Sequence, residues 1–287
     1  MSEDLEYSKA TPDNSRLSLQ ADCESCFGLC CVALPFAASA DFAADKNAGQ
    51  PCKNLQDDFR CGVHDSLRQL GYRGCTVFDC FGAGQKVSRV TYGGLDWRKA
   101  PEFAKQMFEV FPIMRQLHEL LWYLNEALTL GPARPIRGEL SLALEKTEHL
   151  TNLAPDAIVK LDVAAHRADV NQLLLRTSEL VRAAFLRSHK VPAGKRKTFS
   201  RGADLIGAKL RGADLRAANL RGSYLIAADL RGADLRGADL IGADFRDADI
   251  RGANLTESIF LTQAQVNAAK GDADTKLPLT VTRPPHW

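Results

Sequence analysis

The 287-residue sequence predicts an α+β multidomain protein, in which a cysteine-rich module, a helical bundle and a β-solenoid follow one another. Three patterns predict this fold class. All eight cysteines lie between Cys23 and Cys80. Apolar residues recur at helical spacing through the middle of the chain, and a five-residue period occupies its last third. A five-residue period fits neither a helix nor a flat strand, so it indicates a repeat architecture.

Changes in these patterns divide the chain into six segments. We expect a disordered tail, a cysteine-rich metal-binding module, a helical bundle, a linker, a solenoid with a carboxyl-terminal cap, and a second, loose tail. In chain order they are residues 1–20, 21–96, 97–190, 191–200, 201–271 and 272–287.

The cysteine spacing of the first module predicts a metal site. A Cys-x2-Cys turn presents two sulfurs to one side, and four thiolates suit Zn²⁺ or an iron–sulfur cluster. His64 follows Cys61 as Cys-x2-His and is a candidate to replace one thiolate. The candidate ligands are Cys23, Cys26, Cys30, Cys31, Cys52, Cys61, Cys75 and Cys80.

Zinc and iron–sulfur are not separated by this spacing. Two other interpretations stay open, namely a redox-responsive set in which Cys30–Cys31 or Cys75 and Cys80 oxidise, and buried thiols without further chemistry. The polar amino terminus shows no secretory signal, so we expect a reducing cytoplasmic location, which argues against disulfides.

The order of the cysteine elements adds a family resemblance. A Cys-x2-Cys-x3-Cys-Cys element at residues 23–31 precedes GQPCKNLQDDFRCGVH at 49–64 and GYRGC, which ends at Cys75. This order resembles the zinc- or iron-chelating Cys-cluster family of the YkgJ type. Here Tyr72-Arg73-Gly74-Cys75 replaces the usual RP-x-x-C ending, and Cys80 extends the set. The resemblance implies metal chelation by these cysteines.

The middle of the chain predicts three helices. Apolar residues step by three or four from Phe103 to Leu128, with Pro101 at the start, Gly131 at the end and a kink expected at Pro112. Further helices are expected at residues 138–150 and 155–186. The resulting bundle is a candidate for homo-oligomer contacts or for covering the first coil of the solenoid.

The carboxyl-terminal third repeats a five-residue unit twelve times. A small residue stands two positions before each large apolar residue. The large residues are Leu205, Leu210, Leu215, Leu220, Leu225, Leu230, Leu235, Leu240, Phe245, Ile250, Leu255 and Phe260. This A(D/N)LXX tandem resembles the pentapeptide-repeat family, which implies a right-handed quadrilateral β-helix of four units per coil, hence three coils. Glycines are expected at the corners, and Thr262 is expected to cap a short helix over residues 261–270.

Charge limits the functions that the repeat region supports. Some pentapeptide-repeat proteins modulate DNA gyrase by imitating DNA, which carries one negative charge per about 1.7 Å. Residues 201–260 carry nine basic and nine acidic side chains, and the net charge of the chain is +2. A balanced rod is a poor polyanion, so DNA mimicry is the least favoured hypothesis.

The sequence therefore predicts a metal-binding interaction or regulatory protein that uses the β-helix as a docking scaffold for a protein partner. The alternative is a small iron–sulfur redox enzyme or electron carrier docked through the repeats. No catalytic residues are assigned, and neither nucleic acid nor a membrane is expected as a partner.

Overall fold

The structure is a computed structural model, and it describes residues 18–190 and 197–287. Residues 1–17 of the expected tail and 191–196 of the expected linker lie outside the described residues. The α-helices are α1 Leu29–Ala33, α2 Arg73–Thr76, α3 Ala83–Gln85, α4 Pro101–Thr129, α5 Arg137–Thr151, α6 Pro155–Val159, α7 Val163–Ser188 and α8 Gln263–Ala268. Turns of 3-10 helix occupy Cys23–Ser25, His64–Ser66 and Gly131–Ile136, and a π-helical turn spans Lys86–Thr91.

Helix α4 connects two of the three apolar cores. Towards its amino end, Met107 and Phe111 pack with Leu29 of the cysteine-rich module. Towards its carboxyl end, α4 packs with α7 and with Phe260 of the solenoid. The helix continues through Pro112, where we expected a kink, and Phe111 beside it is fully buried. Tertiary packing on both sides of the proline stabilises the helix there.

The third predicted helix is two helices, which corrects the expectation of one helix over residues 155–186. Helix α6 ends at Val159, and α7 begins at Val163. The Asp162 carboxylate accepts a hydrogen bond from the Ala165 amide, which is the geometry of an N-cap. Asp162 thus starts a new helix inside a continuous apolar pattern.

The repeats stack with a period of twenty residues, as predicted. Parallel bridges join Asp204 to Tyr224, Lys209 to Asp229 and equivalent pairs up to Ile259. Every large apolar residue of the units is buried; those from Leu205 to Leu255 form one core inside the coil, whereas Phe260 packs in the core of the helical bundle. Among the described residues, this ladder consists of isolated bridges without longer strands. Each coil therefore has four bridge positions, one for each unit.

The corners of the solenoid require positive φ angles. Gly207 and Gly237 have φ angles of 62° and 65°, in the left-handed region that glycine adopts without penalty. Ala217 and Ala227 occupy the same register with φ angles of 50° and 55°. The predicted corner glycines are thus confirmed, and alanine is tolerated at this position.

The carboxyl-terminal segment continues the ladder instead of forming a loose tail. Thr262 and Gln265 form a capping box at the start of α8, as the sequence predicts for Thr262. Beyond the helix, Lys270 pairs with Asp249, and Lys276 pairs with Asn254. The chain thus covers the open backbone edge of the last coil, which otherwise offers unpaired amides and carbonyls.

Two further segments differ from the expectations. Leu19, assigned by its sequence to a disordered tail, is 3% exposed and packs in one apolar core with Phe81. The bundle packs along the side of the solenoid and on its last coil, where Glu126 accepts a hydrogen bond from the Phe260 amide at 2.6 Å. The bundle therefore does not occupy the position over the first coil that we expected from the sequence. Self-association through the bundle stays a prediction.

Candidate metal centre

The eight cysteines all lie in one module of short helices, turns and loops, and all eight are free thiols. Cys30 and Cys31 are neighbours within α1, and Cys75 lies in α2. Electrostatic interactions connect the thiols into two groups of four, which are linked because Cys23 and Cys30 of the first group also interact with Cys31 of the second. Cluster A consists of Cys23, Cys26, Cys30 and Cys80, and cluster B consists of Cys31, Cys52, Cys61 and Cys75.

Cluster A forms where the first cysteine turn meets the turn before α3. The Cys26 amide donates to the Cys23 carbonyl at 3.4 Å, which places both residues in one turn. A Cβ atom at Gly84 would lie 2.7 Å from the Cys26 sulfur and 3.9 Å from the Cys80 sulfur. A side chain at Gly84 would therefore collide with the Cys26 sulfur, whereas the Cys80 sulfur would be at ordinary contact distance. Both sulfurs therefore lie near Gly84, at the start of α3.

Cluster B forms where α1 meets a tight loop. The Cys52 amide donates to the Cys31 carbonyl at 2.8 Å. The Leu55 amide donates to the Cys52 carbonyl, and Leu55 forms an antiparallel bridge with Cys61. These contacts bring Cys52 and Cys61 close to Cys31. The Cys75 thiol interacts with all three of the other cluster B thiols.

The two clusters meet at the adjacent Cys30 and Cys31 side chains. Their sulfurs lie 3.9 Å apart, well beyond the roughly 2.05 Å of a disulfide bond. Hydrogen bonding with Cys31, together with burial, raises the pKa of Cys30, and the same hydrogen bond lowers the pKa of Cys31. Cys31 is therefore the member of this pair that loses its proton first.

Burial keeps most of the other thiols protonated. It raises the pKa of Cys26 to about 11 and that of Cys75 to about 12. It also raises the pKa values of Cys23, Cys61 and Cys80. A cation bound here must displace these protons, because the thiolate is the form of cysteine that ligates metals.

Lys46 lies beside cluster B and is the functional candidate that sequence reasoning missed. Lys46 is 7% exposed, and its ammonium group donates to the carbonyls of Val32, Asn47 and Gln50 at 3.1–3.3 Å. Its charge interacts with the thiols of clusters A and B, those of Cys52 and Cys31 most strongly. A lone lysine in a polar loop carries no pattern that would predict its burial.

His64 does not join either cluster. Its side chain is 70% exposed, and its Nδ1 atom lies 3.8 Å from the Asp65 carboxylate. Within residues 18–190 and 197–287, no three His, Cys, Asp or Glu side chains stand at metal-binding distances. The donor type nevertheless suits a soft cation, because the module carries eight thiols.

The cysteine-rich module is attached to the last coil of the solenoid. Arg73, in α2 beside Cys75, forms an ion pair with Asp247 at 3.0 Å and donates to the Ala268 carbonyl. Arg68 donates to the Asn267 carbonyl at 2.6 Å. These contacts connect the turn that carries a cluster B ligand directly to α8 and to a corner of the solenoid.

The solenoid presents one covered and three open faces. Along the covered face, Arg221 forms an ion pair with Asp239 at 3.0 Å and donates to Asn171 of α7 at 2.6 Å. The Ile206 face, defined by Ile206 and Tyr224, is open: these residues are 57% and 50% exposed, and the same face carries the Arg246–Asp244 ion pair in the last coil. The other two faces carry Arg–Asp pairs two residues apart. These pairs include Arg216–Asp214, Arg231–Asp229, Arg236–Asp234 and Arg251–Asp249.

Comparison with known proteins identifies the repeat region and a close relative. The family model described as pentapeptide repeats matches residues 201–237 and 223–260. The chain is 66% identical over 275 residues to the uncharacterized protein YybG of Bacillus subtilis (strain 168), with 96% of this chain and 97% of YybG covered. The chain is a pentapeptide-repeat protein of the YybG family.

A solved structure also matches part of this pentapeptide-repeat protein. It is a pentapeptide repeat protein from the thylakoid lumen of Arabidopsis thaliana, with 28% identity. The match covers 31% of this chain and 66% of that chain, with a TM-score of 0.16.

Among the residues that the structure describes here, no helix has both the length and the apolar character that crossing a membrane requires.

Proposed function

We propose that this pentapeptide-repeat protein is a metal-binding interaction scaffold. The cysteine-rich module, of which the YkgJ-type resemblance covers a part, would bind its metal through thiolates of clusters A and B. The β-helix, which we take to be right-handed and quadrilateral, would offer a rigid docking face to a protein partner. The single observation that carries the proposal is that all eight cysteines of the chain are free thiols in one module, which is attached to the last coil.

The metal would supply structure to a module that is poor in regular elements. Helices α1, α2 and α3 contain five, four and three residues, which is too short for independent stability. Binding free energy of a structural metal becomes folding free energy in such modules. A reducing cytoplasmic setting, which we also propose, would keep the eight thiols available for a metal.

Elemental analysis and an absorption spectrum of anaerobically purified full-length protein test the metal. Zinc with no visible band supports a structural or regulatory metal. Iron and sulfide with a broad visible band favour the alternative, an iron–sulfur electron carrier or redox enzyme. A folded, fully reduced protein that contains no metal and takes up neither metal would contradict the proposal.

The Ile206 face is the surface that we propose for the protein partner. Large apolar side chains exposed together favour a protein interface over solvent. Tyr224 pairs with Asp204, two residues before Ile206, so both side chains lie on one face. The charged faces already pair most of their arginines with aspartates, which argues against DNA mimicry as a second function.

Quantitative affinity capture with matched variants tests this surface. We expect the double variant Ile206→Ala and Tyr224→Ala to lose a partner that the wild-type chain retains. Leu142→Ala is the control, because Leu142 is 68% exposed and lies on α5, outside the repeats. Equal capture by the double variant and the control would contradict a partner site on this face.

A further inference from the structure

The first coil of the solenoid leaves part of its backbone edge open. In the second coil, Tyr224 pairs with the coil before it through its amide and its carbonyl, and Ile226 pairs through its carbonyl. The equivalent groups of the first coil are the amide and carbonyl of Asp204 and the carbonyl of Ile206. Within residues 18–190 and 197–287, these three groups have no hydrogen-bond partner. The first unit of the stack therefore offers one free donor and two free acceptors.

The second unit of the first coil is open in the same way. The amide and carbonyl of Lys209 and the carbonyl of Arg211 have no hydrogen-bond partner in the described part of the chain. By contrast, the amides of Lys197 and Gly202 donate to carbonyls of the third and fourth units at 3.0 and 2.8 Å. The open part is therefore confined to residues 204–211, which we call the first-coil edge.

A lysine replaces an aspartate at the first-coil edge. Asp229 and Asp249 each form an ion pair with the arginine two residues further on. Lys209 stands at the equivalent position of the first coil. Arg211 interacts electrostatically with Asp229 but forms no ion pair among the described residues. Two exposed cations without a paired carboxylate thus flank the open backbone groups.

The charge of the solenoid changes from one end to the other. Residues 197–220 carry five basic and two acidic side chains, hence a net charge of +3. Residues 241–260 carry two basic and four acidic side chains, hence a net charge of −2. Arg73 of the cysteine-rich module already pairs with this acidic coil through Asp247. The basic end is therefore the one that a partner of opposite charge would complement.

We infer that the first-coil edge binds an extended, acidic segment of a protein partner, which adds a strand to the open backbone groups and places carboxylates beside Lys209 and Arg211. In this binding mode, main-chain hydrogen bonds supply affinity and alternate side chains supply specificity. The inference rests on the docking function proposed above, and Ile206 adds an exposed apolar contact. A second copy of the chain does not fit, because two first coils repel each other and the edge of the last coil is covered.

Selection of a displayed library of random peptides on the full-length protein tests this occupant. We expect enrichment of sequences in which Asp or Glu alternates with apolar residues, since alternate side chains of a strand share one face. Enrichment without an acidic preference, or no enrichment, would overturn the inference and leave Lys209 as a guard of an exposed edge. The proposed function would still stand if partner capture depended on Ile206 and Tyr224, and it would fail separately if capture did not.

Charge reversal tests the two cations. For a selected acidic peptide, fluorescence anisotropy should show that the double variant Lys209→Glu and Arg211→Glu loses affinity by about tenfold or more, because two attractions become repulsions. The double variant Lys105→Glu and Lys160→Glu makes the same change in net charge at exposed lysines of the helical bundle and should bind normally. Equal affinities of the two double variants would contradict a site at the first-coil edge.

Methylated peptides test the backbone pairing on the unaltered protein. N-methylation of alternate residues removes amide donors from one side of a strand and blocks its approach to an edge. Methylation on the pairing side should abolish binding of the acidic peptide, whereas methylation on the other side should leave it intact. Equal affinities of the two methylated peptides would overturn strand addition.

Competition with single-stranded DNA decides between an acidic peptide and a nucleic acid. A basic surface attracts any polyanion, but base stacking on aromatic side chains is absent from the first-coil edge. We expect the acidic peptide to displace its labelled form at lower concentrations than the DNA does. Tighter competition by the DNA would assign this edge to a nucleic acid and overturn the inference.

Discussion

At the scale of single residues, Arg221 and Asp239 form an ion pair that solvent hardly reaches. Their side chains are 3% and 0% exposed, and the pair lies between successive coils under helix α7. Removing one partner of a buried pair leaves an uncompensated charge. Arg221 also donates a hydrogen bond to Asn171 of α7, so this buried pair depends on the packing of α7 on the covered face. The repeat pattern alone does not predict this contact.

Asp239→Asn should strongly destabilise the protein. We expect the free energy of unfolding to fall by about 3–5 kcal/mol, because Arg221 keeps its buried charge without a counterion. The control is Asp244→Asn, at the next equivalent position, where Arg246 is 50% exposed and the expected loss is under about 1 kcal/mol. Urea denaturation of both variants measures the difference, and equal losses would contradict the account.

His118 should make stability depend on pH. Burial lowers the pKa of His118 to about 4, with a smaller effect of Lys86, and its Nδ1–H donates to the Phe81 carbonyl at 2.7 Å. The unfolded chain takes up this proton near pH 6.5, before the folded chain does. The stability contributed by neutral His118 is therefore complete above pH 6.5 and is lost as pH falls towards about 4.

The variant His118→Asn keeps a donor at this position but cannot titrate. Between pH 7 and pH 4, the wild-type protein should lose about 3 kcal/mol more unfolding free energy than the variant, since one pKa unit corresponds to about 1.36 kcal/mol. Urea midpoints at several pH values give the comparison. Parallel pH profiles of the two proteins would show that His118 does not contribute.

At the scale of elements, the contact of α7 with the solenoid concentrates at one corner. A Cβ atom at Gly237 would lie 2.6 Å from the Phe185 ring, whereas nothing lies within 4 Å at Gly232. Both glycines have nearly the same φ angle, 65° and 64°. The two positions therefore differ in their neighbours and not in backbone strain.

Gly232→Ala and Gly237→Ala form a matched pair. Alanine in the left-handed region costs about 1–2 kcal/mol at either position. Gly237→Ala should cost a further 1–3 kcal/mol, roughly the cost of overpacking, because Phe185 and α7 must move. Denaturant midpoints measure both costs, and equal values would mean that α7 does not pack tightly on this corner.

The sequence predicts the periodic elements well and the contacts between them poorly. The five-residue spacing from Leu205 onwards is a local signal, so the stacking period, the buried ladder and the corner glycines follow from it. The pairing of Lys276 with Asn254 is not visible in a proline-containing tail, because bridge formation depends on an edge supplied by another coil. The approach of Cys52 to Cys31 likewise depends on a loop that has no periodic pattern.

At the scale of the whole molecule, the cysteine-rich module and the solenoid share a border at α2 and α8. Arg73 and Arg68 reach the solenoid from the turn that carries Cys75. We expect a change in cluster B to reach α8 through these contacts. The first coil, at the other end of the stack, has no such connection among the contacts described here.

Chelation of the metal from the full-length protein should loosen one end of the solenoid selectively. Hydrogen–deuterium exchange should rise in α2 and α8 and remain unchanged in residues 201–220, since local opening follows lost contacts. The exchange of the first coil is the internal control. An equal rise along all coils, or no change at α8, would contradict a connection between the module and the solenoid.

X-ray absorption spectroscopy of the zinc-loaded, full-length protein tests the central claim most directly, namely that thiolates of this module bind the metal. The account predicts a first shell of four sulfur atoms at about 2.3 Å, as in Zn(Cys)4 sites. A shell dominated by nitrogen or oxygen at about 2.0–2.1 Å would contradict it, because the cysteines would then not be the ligands.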